Sequence, residues 1–261
     1  MRSQRRLLSF GCGTAIGTLG GLIGLGGAEF RLPLLIGLFG FGALEAVILN
    51  KAMSLVVVAA AFPFRAGSVP FSEVFARWDI IVTLLSGSLA GAWFGAGWAI
   101  RLKSKTLYRI IAGLLIAIAA LLLFGHEVDS QFMSLGRVAL AITGALAGVV
   151  IGVVASLMGV AGGELLIPTI VLLFGADIKL AGSLSLAVSL PTMLTGFSRY
   201  SRDQSFSVIR LQGKFIGIMA IGSLLGAFIG GRLLGMIPTH YLLPLLAGIL
   251  VLSSIKVWRH A

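Results

Sequence analysis

The sequence predicts an all-α polytopic membrane protein: two inverted repeats with glycine-broken short helices, about eight to ten membrane segments in all. Three observations carry that prediction. The first is composition: of 261 residues, 58% are hydrophobic and only 11% charged, with a mean hydropathy of +1.06. Globular chains carry about 25% charged residues, so a soluble enzyme lacks the polar surface it would need. A disordered nucleic-acid binder is excluded by the same numbers despite the net charge of +11, and no nucleic-acid partner is expected. The second is a series of apolar runs of bilayer length, and the third is an internal repeat.

A helix rises about 1.5 Å per residue, so crossing a core of about 30 Å takes about 20 apolar residues. The run 7–26 follows Arg2, Arg5 and Arg6 and resembles a signal peptide, with Ser9-Phe10-Gly11-Cys12 weakly resembling a lipoprotein cleavage site. It has a twin at 142–161, however, and is expected to be retained. The run 30–40 is too short to span comfortably and follows a glycine-rich break. Full-length runs come next at 43–64, 78–100 and 107–124, the second of them carrying Gly87, Gly91 and Gly95 on one face, as suits close helix packing in lipid. The second half starts at 136–158, has its own short run at 165–174 after a break, and continues with 178–198, 212–234 and 240–258. Gly222, Gly226 and Gly230 repeat the glycine face, and Pro191 loosens the 178–198 helix by freeing a carbonyl.

An offset of 135 residues aligns the two halves without a gap. Glu29 falls on Glu164, Gly24 on Gly159, Gly27 on Gly162, Pro33 on Pro168, and Leu38-Phe39-Gly40 on Leu173-Phe174-Gly175. Ser54-Leu55 matches Ser189-Leu190, Phe71-Ser72 matches Phe206-Ser207, and Gly87-Ser88-Leu89 matches Gly222-Ser223-Leu224. The organisation expected is a first repeat over 1–125, a non-cytoplasmic junction over 126–135, and a second repeat over 136–261.

Lys and Arg gather in four places: Arg2, Arg5 and Arg6; Arg101, Lys103, Lys105 and Arg109; Arg199, Arg202, Arg210 and Lys214; and Lys256 with Arg259. The junction His126-Glu127-Val128-Asp129 has none. Placing all four in the cytoplasm requires an odd number of crossings before the junction, which inverts one half relative to the other. Both termini are then cytoplasmic. Either 7–26 and 30–40 both cross, or they form a re-entrant pair; the sequence leaves both open.

The candidate site is the pair of breaks, Gly24-Leu25-Gly26-Gly27-Ala28-Glu29-Phe30-Arg31-Leu32-Pro33 and Gly159-Val160-Ala161-Gly162-Gly163-Glu164-Leu165-Leu166-Ile167-Pro168. Non-helical backbone at membrane depth is tolerated only where it lines a cavity or is buried in protein. A helix starting there offers free N–H groups and a positive dipole end to an anion, and paired broken helices are the usual pointer to a transporter site. The bland reading is that the glycines only permit close packing. Candidate substrate-binding residues are therefore Gly26, Gly27, Ala28 and Glu29 in the first break and Ala161, Gly162, Gly163 and Glu164 in the second.

Ionisable residues inside apolar runs are functional candidates by default. Glu29 and Glu164 sit where a carboxylate caps a helix, so capping and substrate or proton handling compete. Arg31 and Lys51 break the repeat, since their partners are Leu166 and Leu186; Arg31 either pairs with Glu29 or Glu45 or faces the anion, and Lys51 attracts substrate or joins a buried pair. Asn50 and Ser54, with Ser185 and Ser189 in the second half, add amide and hydroxyl groups, for which interhelical bonding is the ordinary alternative. Cys12 stands alone, and His126, His240 and His260 fit no metal-ligand pattern. No catalytic constellation or phosphate-cradling loop occurs, and neither enzyme activity, metal nor cofactor is expected.

At the two glycine-rich motifs, Gly24-Leu25-Gly26-Gly27 through Pro33 and Gly159 with Gly162-Gly163 through Pro168, the chain resembles the TauE/SafE (TSUP) family over almost its whole length. Gly26 is matched by Ala161 and Ala28 by Gly163, so the glycine triplet is imperfect in both copies. The resemblance implies export of a small sulfur anion, sulfite or an organic sulfonate, across the bacterial inner membrane. The combined expectation is a secondary transporter working by alternating access, in contact with lipid and an anionic substrate, with homo-oligomerisation open. Its rivals are an anion channel and a membrane assembly subunit that transports nothing.

Overall fold

The computed structural model describes residues 2–23, 27–65, 69–124, 136–233 and 239–260. Gly24, Leu25 and Gly26 of the first break and the expected junction at 126–135 lie outside the described residues. The described chain is helical from end to end, with α1 (Arg2–Ile23), α2 (Ala28–Gly37), α3 (Ala43–Arg65), α4 (Phe71–Ala76), α5 (Trp78–Arg101) and α6 (Ser104–Phe124) in the first half. The second half holds α7 (Arg137–Met158), α8 (Gly163–Phe174), α9 (Ile178–Tyr200), a 3-10 turn at Gln204–Phe206, α10 (Ser207–Leu211), α11 (Gly213–Leu233) and α12 (Thr239–Trp258). Six of these, α3, α5, α6, α7, α9 and α11, contain stretches long and apolar enough to cross a membrane.

The 135-residue offset is kept by the elements themselves. Ala28 and Gly163, Ala43 and Ile178, Trp78 and Gly213, and Ser104 and Thr239 start equivalent helices, while Ile23 and Met158 end equivalent ones. The backbone follows it as well. Gly27 and Gly162, immediately before α2 and α8, both take positive φ, 69° and 81°, which a side chain would oppose. The short helices α4 and α10 were not anticipated; each leads into a long helix.

Two helix pairs dominate the packing, and each joins one half to the other. Gly13, Gly17 and Gly21 of α1 lie in that order against the backbone of Met219, Ser223 and Ala227 of α11. Gly87, Gly91 and Gly95 of α5 lie likewise against Ala145, Val149 and Val153 of α7. Both pairs therefore run parallel, with glycines on both members: Gly222 and Gly226 face α1, and Gly148 and Gly152 face α5. In contrast α6 and α12 are antiparallel, since Arg109 lies over Trp258 and Ser254 donates to the Ala112 carbonyl.

The α2 helix turns back along the bundle, bringing Gly37 beside Lys256 near the end of α12. Phe39 and Phe41, which follow it, pack on Phe215 at the start of α11. Arg199 near the end of α9 abuts Gly97 near the end of α5, so the helix ends bearing the four basic clusters gather at one end of the bundle. Large apolar side chains such as Phe94, Leu146, Phe228 and Leu252 are left exposed around the perimeter, as lipid contact requires.

Candidate functional site

At the middle of the bundle the starts of α2 and α8 and the end of α7 converge on the centres of α3 and α9. Asn50 of α3 makes the junction: its Nδ2 donates to the carbonyls of Ala28 (3.0 Å) and Met158 (3.1 Å). Gly159 packs on the Val47 carbonyl and the Lys51 amide, where a Cβ would collide with backbone. On the α9 side Ser189 Oγ donates to the Ala161 carbonyl at 2.8 Å. One chain break from each half is thus tied to a spanning helix.

The short helices carry no side-chain cap at their N-termini. The Arg31 amide is the first to bond back to Gly27, and in α8 the Leu165 and Leu166 amides bond to Gly162. Helix geometry leaves the amides ahead of these, at Ala28, Glu29, Gly163 and Glu164, without an intrahelical acceptor. Proline acts on the same turn from the other side. Pro33 and Pro168 have no N–H for the carbonyls four residues back, those of Glu29 and Glu164.

The ionisable residues lie within this convergence, all withdrawn from solvent. Arg31 and Lys51 have no relative exposure, Glu29 has 1% and Glu164 5%. Arg31 reaches Asn50 Oδ1 at 3.3 Å, Ser54 Oγ at 3.1 Å and Ser223 Oγ at 3.4 Å, while its Nε has no partner. Lys51 Nζ donates to the Ala155 carbonyl at 3.4 Å and Ser156 Oγ at 3.5 Å. Among the described residues the sole ion pair is Arg77 with Asp79 at the surface. Neither buried cation has a carboxylate within ion-pair distance, so the Arg31 pairing with Glu29 or Glu45 and the buried pair for Lys51 are not formed. Glu45 instead accepts from the Gly42 amide ahead of α3.

The carboxyl groups of Glu29 and Glu164 are neighbours across the meeting point. Both Glu29 oxygens and Oε1 of Glu164 are buried without a hydrogen-bond partner. Glu29 makes no capping hydrogen bond, though its carboxyl lies close to its own backbone amide as well as to Glu164.

The structure places Arg31, Asn50 and Ser54, all singled out in the sequence, side by side, and adds several neighbours that sequence reasoning left out. Ser223 of α11 holds Arg31, and its repeat equivalent Ser88 of α5 shares a 2.7 Å hydrogen bond with Thr192. The signal was present, since a serine stands in both copies of the Gly-Ser-Leu match. Ser156 is a second hub, donating to the Ala92 carbonyl while its own carbonyl accepts from Tyr200. Ser185 lies beside the junction but donates to Gly182 of its own helix.

No curated protein and no solved structure matches the chain. The model of the family described as sulfite exporter TauE/SafE matches residues 8–257. That span takes in every element from α1 to α12 and both glycine-proline breaks, and the chain belongs to the sulfite exporter TauE/SafE family.

Proposed function

We propose that the protein is a secondary transporter that exports a small anion, sulfite or an organic sulfonate, across the bacterial inner membrane by alternating access. The observation carrying this reading is the pair of fully buried cations, Arg31 and Lys51, held by neutral oxygens with no carboxylate at ion-pair distance. Glu29 acts on Arg31 only from beyond ion-pair distance; burying charge with so little compensation costs several kcal/mol, which a bound anion offsets. The starts of α2 and α8 add the positive ends of two helix dipoles. Ser54 beside Arg31 offers a hydroxyl, while Asn50, Ser185 and Ser189, whose donor hydrogens go to protein carbonyls, hold the surrounding backbone in place.

The halves 1–125 and 136–261 are read as inverted repeats related by an axis in the membrane plane, with 126–135 on the non-cytoplasmic side. The senses of the helices support this: the equivalents α6 and α12 run antiparallel, and each parallel pair joins helices that are not equivalent. The end of the bundle that collects the basic helix ends is assigned to the cytoplasm, which places both termini there. The charged residues of the central cluster are at most 5% exposed, so alternating access would have to open the cluster to each side in turn. Export of an anion is assisted by an inside-negative potential by about 2.3 kcal/mol per charge per 100 mV.

The test is flux in liposomes. Purified protein is expected to carry labelled sulfite or a sulfonate with saturation, and to show counterflow when unlabelled anion is trapped inside. Flux without counterflow would assign a channel, and no flux of any sulfur anion would overturn the reading.

A further inference from the structure

A second anion-seeking feature opens on the outer face of the bundle, one layer out from the central cluster: Gly95 in its lining abuts Ser156, which Lys51 contacts. A cavity of about 530 Å³ opens over the last two turns of α5, flanked by α7 at Val153 and α9 at Arg199. Its floor is small because of Gly97, where a Cβ would come within 3.1 Å of Arg199 Nε. Its basic groups are Arg101 and Arg199, and Arg202 stands alongside. The guanidinium carbons of Arg199 and Arg202 both lie 5.0 Å from the Trp93 ring centroid, within cation–π range. None of the three arginines has an ion-pair partner among the described residues, and Arg199 Nε is buried without a hydrogen bond. On the lipid side Phe94 is 72% and Trp98 49% exposed.

We propose that this cavity binds the headgroup of an anionic phospholipid. The phosphodiester sits against Arg199 and Arg101, whose forked donors match two phosphate oxygens, and an acyl chain runs along Phe94 and Trp98. The position suits this occupant: the basic end of the bundle is the headgroup level, where aromatic side chains and basic pockets between helices meet anionic lipid. A free anion has no use for the apolar half of the cavity, and no carboxylate among the described residues lines its basic half. The inference does not depend on which anion, if any, the central cluster carries.

The experiment is lipid retention by delipidated protein in detergent, read by native mass spectrometry. Phosphatidylglycerol is expected to bind about tenfold better than phosphatidylcholine, with at least about a fivefold loss in Arg199→Gln and partial recovery in Arg199→Lys. Inorganic phosphate at millimolar concentration is expected to leave the lipid in place. Trp98→Ala, at an exposed position, provides a variant that keeps the fold and is expected to lower retention of either lipid. Equal binding of the two lipids, unchanged retention in both Arg199→Gln and Trp98→Ala, displacement by inorganic phosphate, or a dimer that covers this face without lipid would each overturn the proposal.

Discussion

Lys51→Leu separates a transport role from a structural one, because the two predict opposite changes in stability. The ammonium group is fully buried and its two hydrogen bonds are long, 3.4 and 3.5 Å, so losing them costs less than about 1 kcal/mol. Removing an unpaired buried charge returns several kcal/mol of desolvation. Leucine already occupies the equivalent position in the other repeat, at Leu186. Thermal stability in detergent is therefore expected to hold or rise. Function is expected to move the other way. A charge-assisted hydrogen bond to the anion contributes about 1.5–3 kcal/mol, and each 1.4 kcal/mol is a factor of about ten. The half-saturating sulfite concentration in proteoliposomes should accordingly rise about 10- to 150-fold. Unchanged flux kinetics in a well-folded variant would remove Lys51 from the mechanism. A lowered melting temperature with kinetics intact per folded molecule would make it a structural residue.

Asn50→Leu strips the carbonyls of Ala28 and Met158 of their donor, and about 1–3 kcal/mol is expected to be lost at each, measured as a lower melting temperature. Gly95→Val brings a Cβ to 2.8 Å from the Val153 Cα and should destabilise by about 1–3 kcal/mol or more, whereas Gly113→Ala, with open space around it, should not; detergent melting of the two side by side decides. Glu29→Gln removes one of two facing carboxyl groups. If that pair carries a proton through the cycle, accumulation driven by an imposed pH gradient should disappear while anion exchange at equal pH continues, and gradient-driven accumulation at the native rate would exclude the role.

The spans were legible because membrane helices declare themselves by length. The run 43–64 became Ala43–Arg65 and 178–198 became Ile178–Tyr200. The breaks were legible because glycine and proline act through local backbone geometry, seen at Gly27 and Gly162. The helices α4 and α10, at six and five residues, are shorter than any periodicity can register. Within the site, Arg31 and Asn50 stood out as rare polar residues in apolar surroundings. Ser223 is marked in the sequence only by the Gly-Ser-Leu repeat, and its part beside Arg31 depends on α11 lying beside α3, a tertiary fact. Glu29 shows the limit from the other direction: its position in the first turn suits capping, and only the tertiary structure brings Glu164, 135 residues away, beside its carboxyl. The glycines of α1 and α7 were passed over for a similar reason, since their mates belong to the opposite half.

That cross-pairing has a consequence for biogenesis. The groove of α1 is filled by α11, which leaves the ribosome about two hundred residues later, and α5 waits for α7. A nascent first half therefore enters the membrane with a glycine-lined backbone exposed to lipid and cannot complete its own assembly. Contacts of such long range are slow to form and leave intermediates open to wrong partners. A premature stop before α11 would yield an α1 with no mate and a chain marked for disposal, rather than half a working protein. Conversely, the two halves made as separate chains have a strong reason to find each other, because each holds the missing helix of the other's tightest joint.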